Sequence, residues 1–282
     1  LGLSKIQTEG RFQRNGLLNF HRNLFTAETR SRREILKKFL NLKILFLAIL
    51  FLTQTLQAAE PWRSVDPDTS IAHLPTKWVS DLSNLFIPEN GLPLVVGGFV
   101  TASDWAFFDQ QDSLAAGLKG WNTPGLFDFG NFYGEGWVEG GTAVGGWALG
   151  AFTEDARLQE FGRDATESVL TATLVVTGLK YAVGRERPDG SNNLSFPSGH
   201  SIVAFSFAPV VAKYGGWELG VPAYAFATVT ALARVEGYHH YLSDVVAGAT
   251  MGILIGNAVV FKPKDLSVSV LPGQVGLTLR FN

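Results

Sequence analysis

Apolar residues in the body of the chain fall into six long stretches: Leu92–Phe108, Gly140–Phe152, Ser168–Tyr181, Ser201–Lys213, Val221–Val235 and Val245–Phe261. None alternates strictly, and their lengths favour helices over strands. They predict an all-α fold, a helical bundle of about six helices spanning residues 92–264. The stretch from 109 to 139 is rich in Gly and aromatic residues and reads as loop. The pattern changes at the C-terminus. Val268 and Val270 alternate, Pro272-Gly273 turns the chain, and Val275, Leu277, Leu279 and Phe281 alternate again. That spacing predicts a short C-terminal β-hairpin over 265–282. A lone hairpin is marginal, so it should dock on the bundle or pair with something.

The N-terminal third is organised differently. Lys37, Lys38 and Lys43 precede the uninterrupted apolar run Ile44–Leu52, and small residues follow near Ala58 and Ala59. Residues 36–59 therefore read as a signal peptide or anchor, the short run favouring the first. Residues 1–35 are polar and aperiodic, and the only Met is Met251, so they are expected to be a non-native upstream extension. Residues 60–91 read as a surface lead-in segment.

Composition narrows the class. The chain of 282 residues is 46% hydrophobic and 17% charged, below the roughly 25% charged of an average soluble domain. Cys is absent, which removes disulfides, thiolate metal ligands and a Cys nucleophile. Lys and Arg dominate residues 1–43, while the remainder is acidic. An acidic body argues against nucleic acid as a partner. Only Val245–Phe261 reaches the lower length limit of a membrane span, and it carries the ridge Gly248, Gly252, Gly256. A bundle at or in a membrane is expected, although the same ridge suits a tightly packed soluble bundle.

The candidate chemistry lies between the later helices. Lys180, Arg187 and Arg234 stand at the ends of apolar segments, where a cation needs an anion. Two guanidiniums and one ammonium suit a phosphate. Ser198, Gly199 and His200 open a helix, whose free N–H groups favour an anion. Gly199 lets the backbone come close. His240 and Asp244 are four apart and share a helical face. The carboxylate can hold one imidazole nitrogen and leave the other as nucleophile, while His200 protonates the leaving oxygen. Taken singly, each feature is commonplace: a solvated cap, a surface pair, an N-cap. Their joint order is not. The segment 189–196 between them, made of turn formers, is expected to be an adaptable rim over the site.

Three matched segments carry a resemblance: Lys180-x6-Arg187-Pro188, Pro197-Ser198-Gly199-His200, and Arg234-x5-His240-x3-Asp244. Their order and spacing resemble the signature of the type 2 phosphatidic acid phosphatase and vanadium haloperoxidase superfamily, in its bacterial, membrane-associated phosphatase branch. The third segment departs in one place, with Ala233 where that family usually has Ser. The resemblance implies an all-α bundle and metal-free hydrolysis of phosphate monoesters or pyrophosphates through a phosphohistidine. By it His240 attacks phosphorus, Asp244 orients His240, and His200 donates and later accepts the proton. Lys180, Arg187, Ser198, Gly199 and Arg234 hold the phosphoryl oxygens. His239 and Arg185 fall outside the motif. No cofactor is implied, and vanadate is expected to inhibit as a transition-state mimic.

The expected enzyme is a phosphoric ester hydrolase acting on a phosphorylated lipid or a small phosphate ester in the bacterial cell envelope. It is expected to be exported, and membrane-associated or integral in the inner membrane with the site facing the periplasm. The alternatives are a soluble periplasmic acid phosphatase, a vanadium-dependent haloperoxidase, and an inactive membrane scaffold that kept the motif.

Overall fold

A computed structural model describes residues 85, 87–107, 111–119, 125–261, 266–271 and 274–279. The expected upstream extension, the signal or anchor at 36–59 and most of the lead-in at 60–91 lie outside the described residues. Seven helices follow in order: α1 Pro88–Phe107, α2 Gln111–Lys119, α3 Leu126–Tyr133, α4 Trp137–Thr153, α5 Ala156–Val183, α6 Gly199–Glu236 and α7 Leu242–Val260. The all-α class stands on these. The C-terminal β-hairpin expected over 265–282 is not supported.

The helix ends have local causes. Asp155 caps α5 by accepting from the Arg157 and Leu158 N–H groups at 3.0 and 3.1 Å. Gly184 ends it at φ 63°, its N–H bonded to the Lys180 carbonyl. Ser198 caps α6. Asp244 closes α7 by accepting from the Tyr241 N–H at 3.0 Å.

The predicted helices Ser201–Lys213 and Val221–Val235 both form, as the two arms of α6, which breaks at Gly216, where φ 67° and ψ −168° are not helical and suit glycine. The two arms double back, with Phe205 and Tyr224 rings 6.3 Å apart. Two other expectations are corrected. The stretch read as loop holds α2 and α3. Helix α3 seats Phe129 and Tyr133 on Phe226 at 5.2 and 5.6 Å, and the Thr230 hydroxyl donates to the Gly130 carbonyl at 2.9 Å. Finally, α5 starts at Ala156 rather than Ser168, because its charged first half is buried in pairs. Arg163 bonds Asp164 at 2.9 Å, and Asp164 accepts from Lys213 at 2.9 Å and the Tyr214 hydroxyl at 2.8 Å.

The core joins both arms of α6 to α7, through Ala204, Phe205, Tyr224, Ala227, Ala249 and Ile253. The glycine ridge sets their spacing. A methyl group on Gly252 would lie 2.5 Å from the Ile202 carbonyl oxygen, and one on Gly256 2.5 Å from that of Ser206. Among the described residues α7 alone is long and apolar enough to cross a membrane, and 89% of its apolar window is buried inside the protein. It is the central helix.

Candidate active site

All eight sequence-predicted residues converge where the C-terminal end of α5, both ends of α6 and the start of α7 meet. The doubling back of α6 does this: it brings His200 at one end and Arg234 at the other to the same place. The backbone fastens the remaining parts. The Ser198 N–H bonds the Asp244 carbonyl at 3.0 Å, and the Arg234 carbonyl accepts from the N–H groups of His239 and His240 at 3.1 and 3.2 Å.

His240 is buried, 1% exposed, and its Nδ1 lies 3.6 Å from Asp244 Oδ2. Nε2 is therefore the nitrogen turned away from the carboxylate. Burial, with the charges of Lys180 and Arg187 nearby, pushes the imidazole down to about 4 against the pull of Asp244. His200 is pushed down to about 3, by burial first and then by the positive field of Arg234, His240 and Arg187. Burial would raise the Asp244 carboxyl. The His240 imidazole 3.6 Å away, the hydrogen bond from Ser195 and the Arg185 charge more than offset that and hold it below the usual range.

The cations are tethered from their flanks. Lys180 Nζ donates to the Leu194 carbonyl at 2.5 Å. Burial and the charge of Arg187 lower its ammonium to about 8. Its Cε lies 3.7 Å from where a methyl group on Gly199 would stand. Arg187 Nε donates to Asn192 Oδ1 at 3.0 Å. Arg234 is 9% exposed and donates to Asn131 Oδ1 at 2.8 Å, while its Nε has no hydrogen-bond partner among the described residues. Three cations crowding one pocket repel each other, and an anion between them relieves that. The Ser198 hydroxyl is engaged as the cap of α6, accepting from the Ser201 N–H and hydroxyl. The first-turn N–H groups of α6 that lack an intrahelical acceptor remain for a ligand.

Four residues outside the predicted set belong to this place. Asn131 and Asn192 hold the two guanidiniums. Arg185 bonds Asp244 Oδ1 at 2.6 Å. Ser195, 0% exposed, donates to Asp244 Oδ2 at 2.5 Å. The adaptable rim expected at 189–196 is thus corrected at two points: Asn192 accepts from Arg187 and from the Leu194 N–H, and Ser195 reaches the carboxylate. Asn192 and Ser195 had no sequence signal beyond turn chemistry. His239 sits half-exposed against Asp189 at 3.1 Å, on the outer edge. Among the described residues no group of His, Asp or Glu could hold a metal ion.

Residues 162–265 match the family model described as the PAP2 superfamily. The lipid A 1-phosphatase of Porphyromonas gingivalis is 40% identical over 97 residues, 33% of this chain and 21% of that one. A PA-phosphatase related-family protein of Dictyostelium discoideum is 33% identical over 120 residues, 32% of this chain and 44% of that one. The chain thus spans less than half the length of either relative. No solved structure matches it significantly.

Proposed function

We propose that this chain, whose residues 162–265 match the PAP2 superfamily model, is a phosphatase that hydrolyses phosphate monoesters or pyrophosphates of lipids through a phosphohistidine. The observation that carries the reading is the buried His240, with one ring nitrogen on Asp244 and three cations around it. In this mechanism Lys180, Arg187 and Arg234 hold the phosphoryl oxygens, with the backbone at Ser198 and Gly199. His240 Nε2 attacks phosphorus, and the bond to the ester oxygen breaks as His200 gives that oxygen a proton. Asp244 stabilises the imidazolium that forms. Water then attacks the phosphohistidine, giving His200 a proton and releasing phosphate. The cationic lining suits an anion directly, whereas a divalent metal asks for carboxylates, so activity is expected to survive EDTA.

The lipid half of the proposal rests on a cavity of about 320 Å³ between α1 and α7. Leu94, Thr101, Trp105, Phe196, Ala247 and Met251 line it. Phe196 sits one residue before Pro197-Ser198, and its ring meets Trp105 edge-on at 5.0 Å. The cavity therefore shares a wall with the site, which suits an acyl chain beside a phosphate. The lipid A 1-phosphatase relative supports the same substrate class. The secretion-type segment at 36–59 supports an exported enzyme at the bacterial cell envelope.

The test is phosphate release from a panel of phosphorylated lipids and p-nitrophenyl phosphate, with acid-quench trapping of labelled enzyme. Lipids are expected to be the better substrates, with label on His240. His240→Ala should lower turnover at least ~1,000-fold. Turnover close to wild type in that variant refutes the assignment. Equal rates on soluble esters favour the broad-specificity acid phosphatase instead.

A further inference from the structure

Arg185 lies within the first matched segment at a position the motif leaves open, yet its guanidinium is among the most constrained groups near the site. Nη1 lies 2.6 Å from Asp244 Oδ1 and 2.8 Å from the Ser243 hydroxyl. The guanidinium carbon lies over two aromatic rings, 4.2 Å from the centroid of Trp105 and 3.9 Å from that of Tyr241. The side chain is 12% exposed. Trp105 comes from α1, outside residues 162–265. Arg185 faces the carboxylate oxygen that His240 does not approach, and it is bonded to groups that hold no phosphate in the mechanism above.

We propose that Arg185 is a positioning residue: lying over the Trp105 and Tyr241 rings, it clamps Asp244 so that the carboxylate stays ionised and aimed at His240. The inference rests on the reading of His240 as nucleophile. Both oxygens of the carboxylate are then engaged. Oδ1 takes Arg185, while Oδ2 takes the Ser195 hydroxyl and the Tyr241 N–H and faces His240 Nδ1. A guanidinium fits here better than an ammonium, because its flat face stacks while its edge donates. Trp105 also lines the apolar cavity, so the clamp and the cavity share one side chain.

The charges acting on this pair are Arg185, Lys180 and Arg187. Removing Arg185 makes the field less positive. Protonation of both Asp244 and His240 then becomes easier, and the acid limb of the kcat profile, where the pair gains a proton, moves to higher pH. In Arg185→Gln the expected result is a kcat lower by about 30-fold or more, with KM and vanadate affinity within about 3-fold of wild type. The acid limb should shift up by about one pH unit. Arg185→Lys should return the limb most of the way but recover kcat only in part. Trp105→Leu should show the same pattern more weakly, and it serves if Arg185→Gln does not fold. An altered KM or vanadate affinity with an unmoved acid limb overturns the proposal and makes Arg185 a phosphate ligand. The His240 ring titration, followed by NMR, is read without turnover and should move up in Arg185→Gln. If it is unmoved in the folded variant, there is no clamp. If it moves while the wild type hydrolyses no phosphate ester, the clamp stands and the proposed activity falls.

Discussion

In the proposed mechanism His200 gives a proton, yet burial and the positive charges beside it push its pKa down to about 3. The second cause is removable, because the Arg234, His240 and Arg187 charges beside it are those a bound anion neutralises. An anion should therefore raise the His200 pKa, so that substrate charges its own acid. An NMR titration of the His200 ring with and without sulfate, a dianion that does not itself titrate between pH 3 and 7, checks this. The expected shift is upward by about one to two units, and an unmoved titration removes His200 from the role of acid. Both histidines also bear on stability. Their folded values, about 3 and about 4, lie below the unfolded 6.5, so between these limits the unfolded chain binds more protons. Stability from this source is full above pH 6.5 and declines as the solution is acidified through the folded values. The histidines, Asp244 and the three cations were legible because their identity and spacing are unusual together. Ser195, Asn192 and Asn131 were not. A Ser in a polar loop, or an Asn on a short aromatic helix, acquires a partner only when the chain closes on itself.

At the level of elements, the apolar stretches foretold α1, α4 and α7 closely, because each is a predominantly apolar run of helical length. They foretold only half of α5. Its first turns carry Glu160, Arg163, Asp164 and Glu167, all at most 2% exposed, and a hydropathy pattern reads buried charge as surface. The short α3 was hidden for another reason: its glycine and aromatics look like loop, and its helix is held by α6. The glycine ridge was visible, and its consequence for the site is now specific. A methyl group at Gly248 would sit 2.7 Å from the Ser198 carbonyl oxygen, so the ridge sets how closely Asp244 and His240 approach the start of α6. Gly252→Ala should cost about 1–3 kcal/mol through overpacking, lowering Tm by about 3–10 °C. Activity should fall in parallel although no catalytic group is touched. Calorimetry alongside the phosphate-release assay checks it, and an unchanged Tm would show that α7 does not rely on that contact.

Among the described residues, some hydrophobic and some charged side chains trade their usual places. Leu92, Val95 and Phe99 form an exposed stripe on α1, with Phe99 71% exposed, and Phe152 on α4 is 87% exposed. Inside, Glu139, Arg163 and Asp164 are fully buried. Water favours neither arrangement, but a lipid surface accommodates the first. The described part of the protein is thus expected to bind bilayers. In a flotation assay it should rise with phospholipid vesicles, and the double change Val95→Ser, Phe99→Ser should weaken this while leaving Tm within a few degrees. Full recovery in the soluble fraction, for both proteins, would argue against it. Composition raised the expectation of a bundle at or in a membrane, but which residues face outward could be read only from the packed helices.

The bend at Gly216 also bears on when the candidate site can be assembled. Lys180, Arg187 and His200 are synthesised well before Arg234, His240 and Asp244, and α6 must reverse direction before the two sets meet. A nascent chain first carries mutually repelling cations with no nucleophile among them. The proposed nucleophile and its carboxylate lie beyond the bend, around the start of α7. On the proposed mechanism, then, the ability to cleave a phosphate ester requires a chain complete through α7, with α6 folded back on itself.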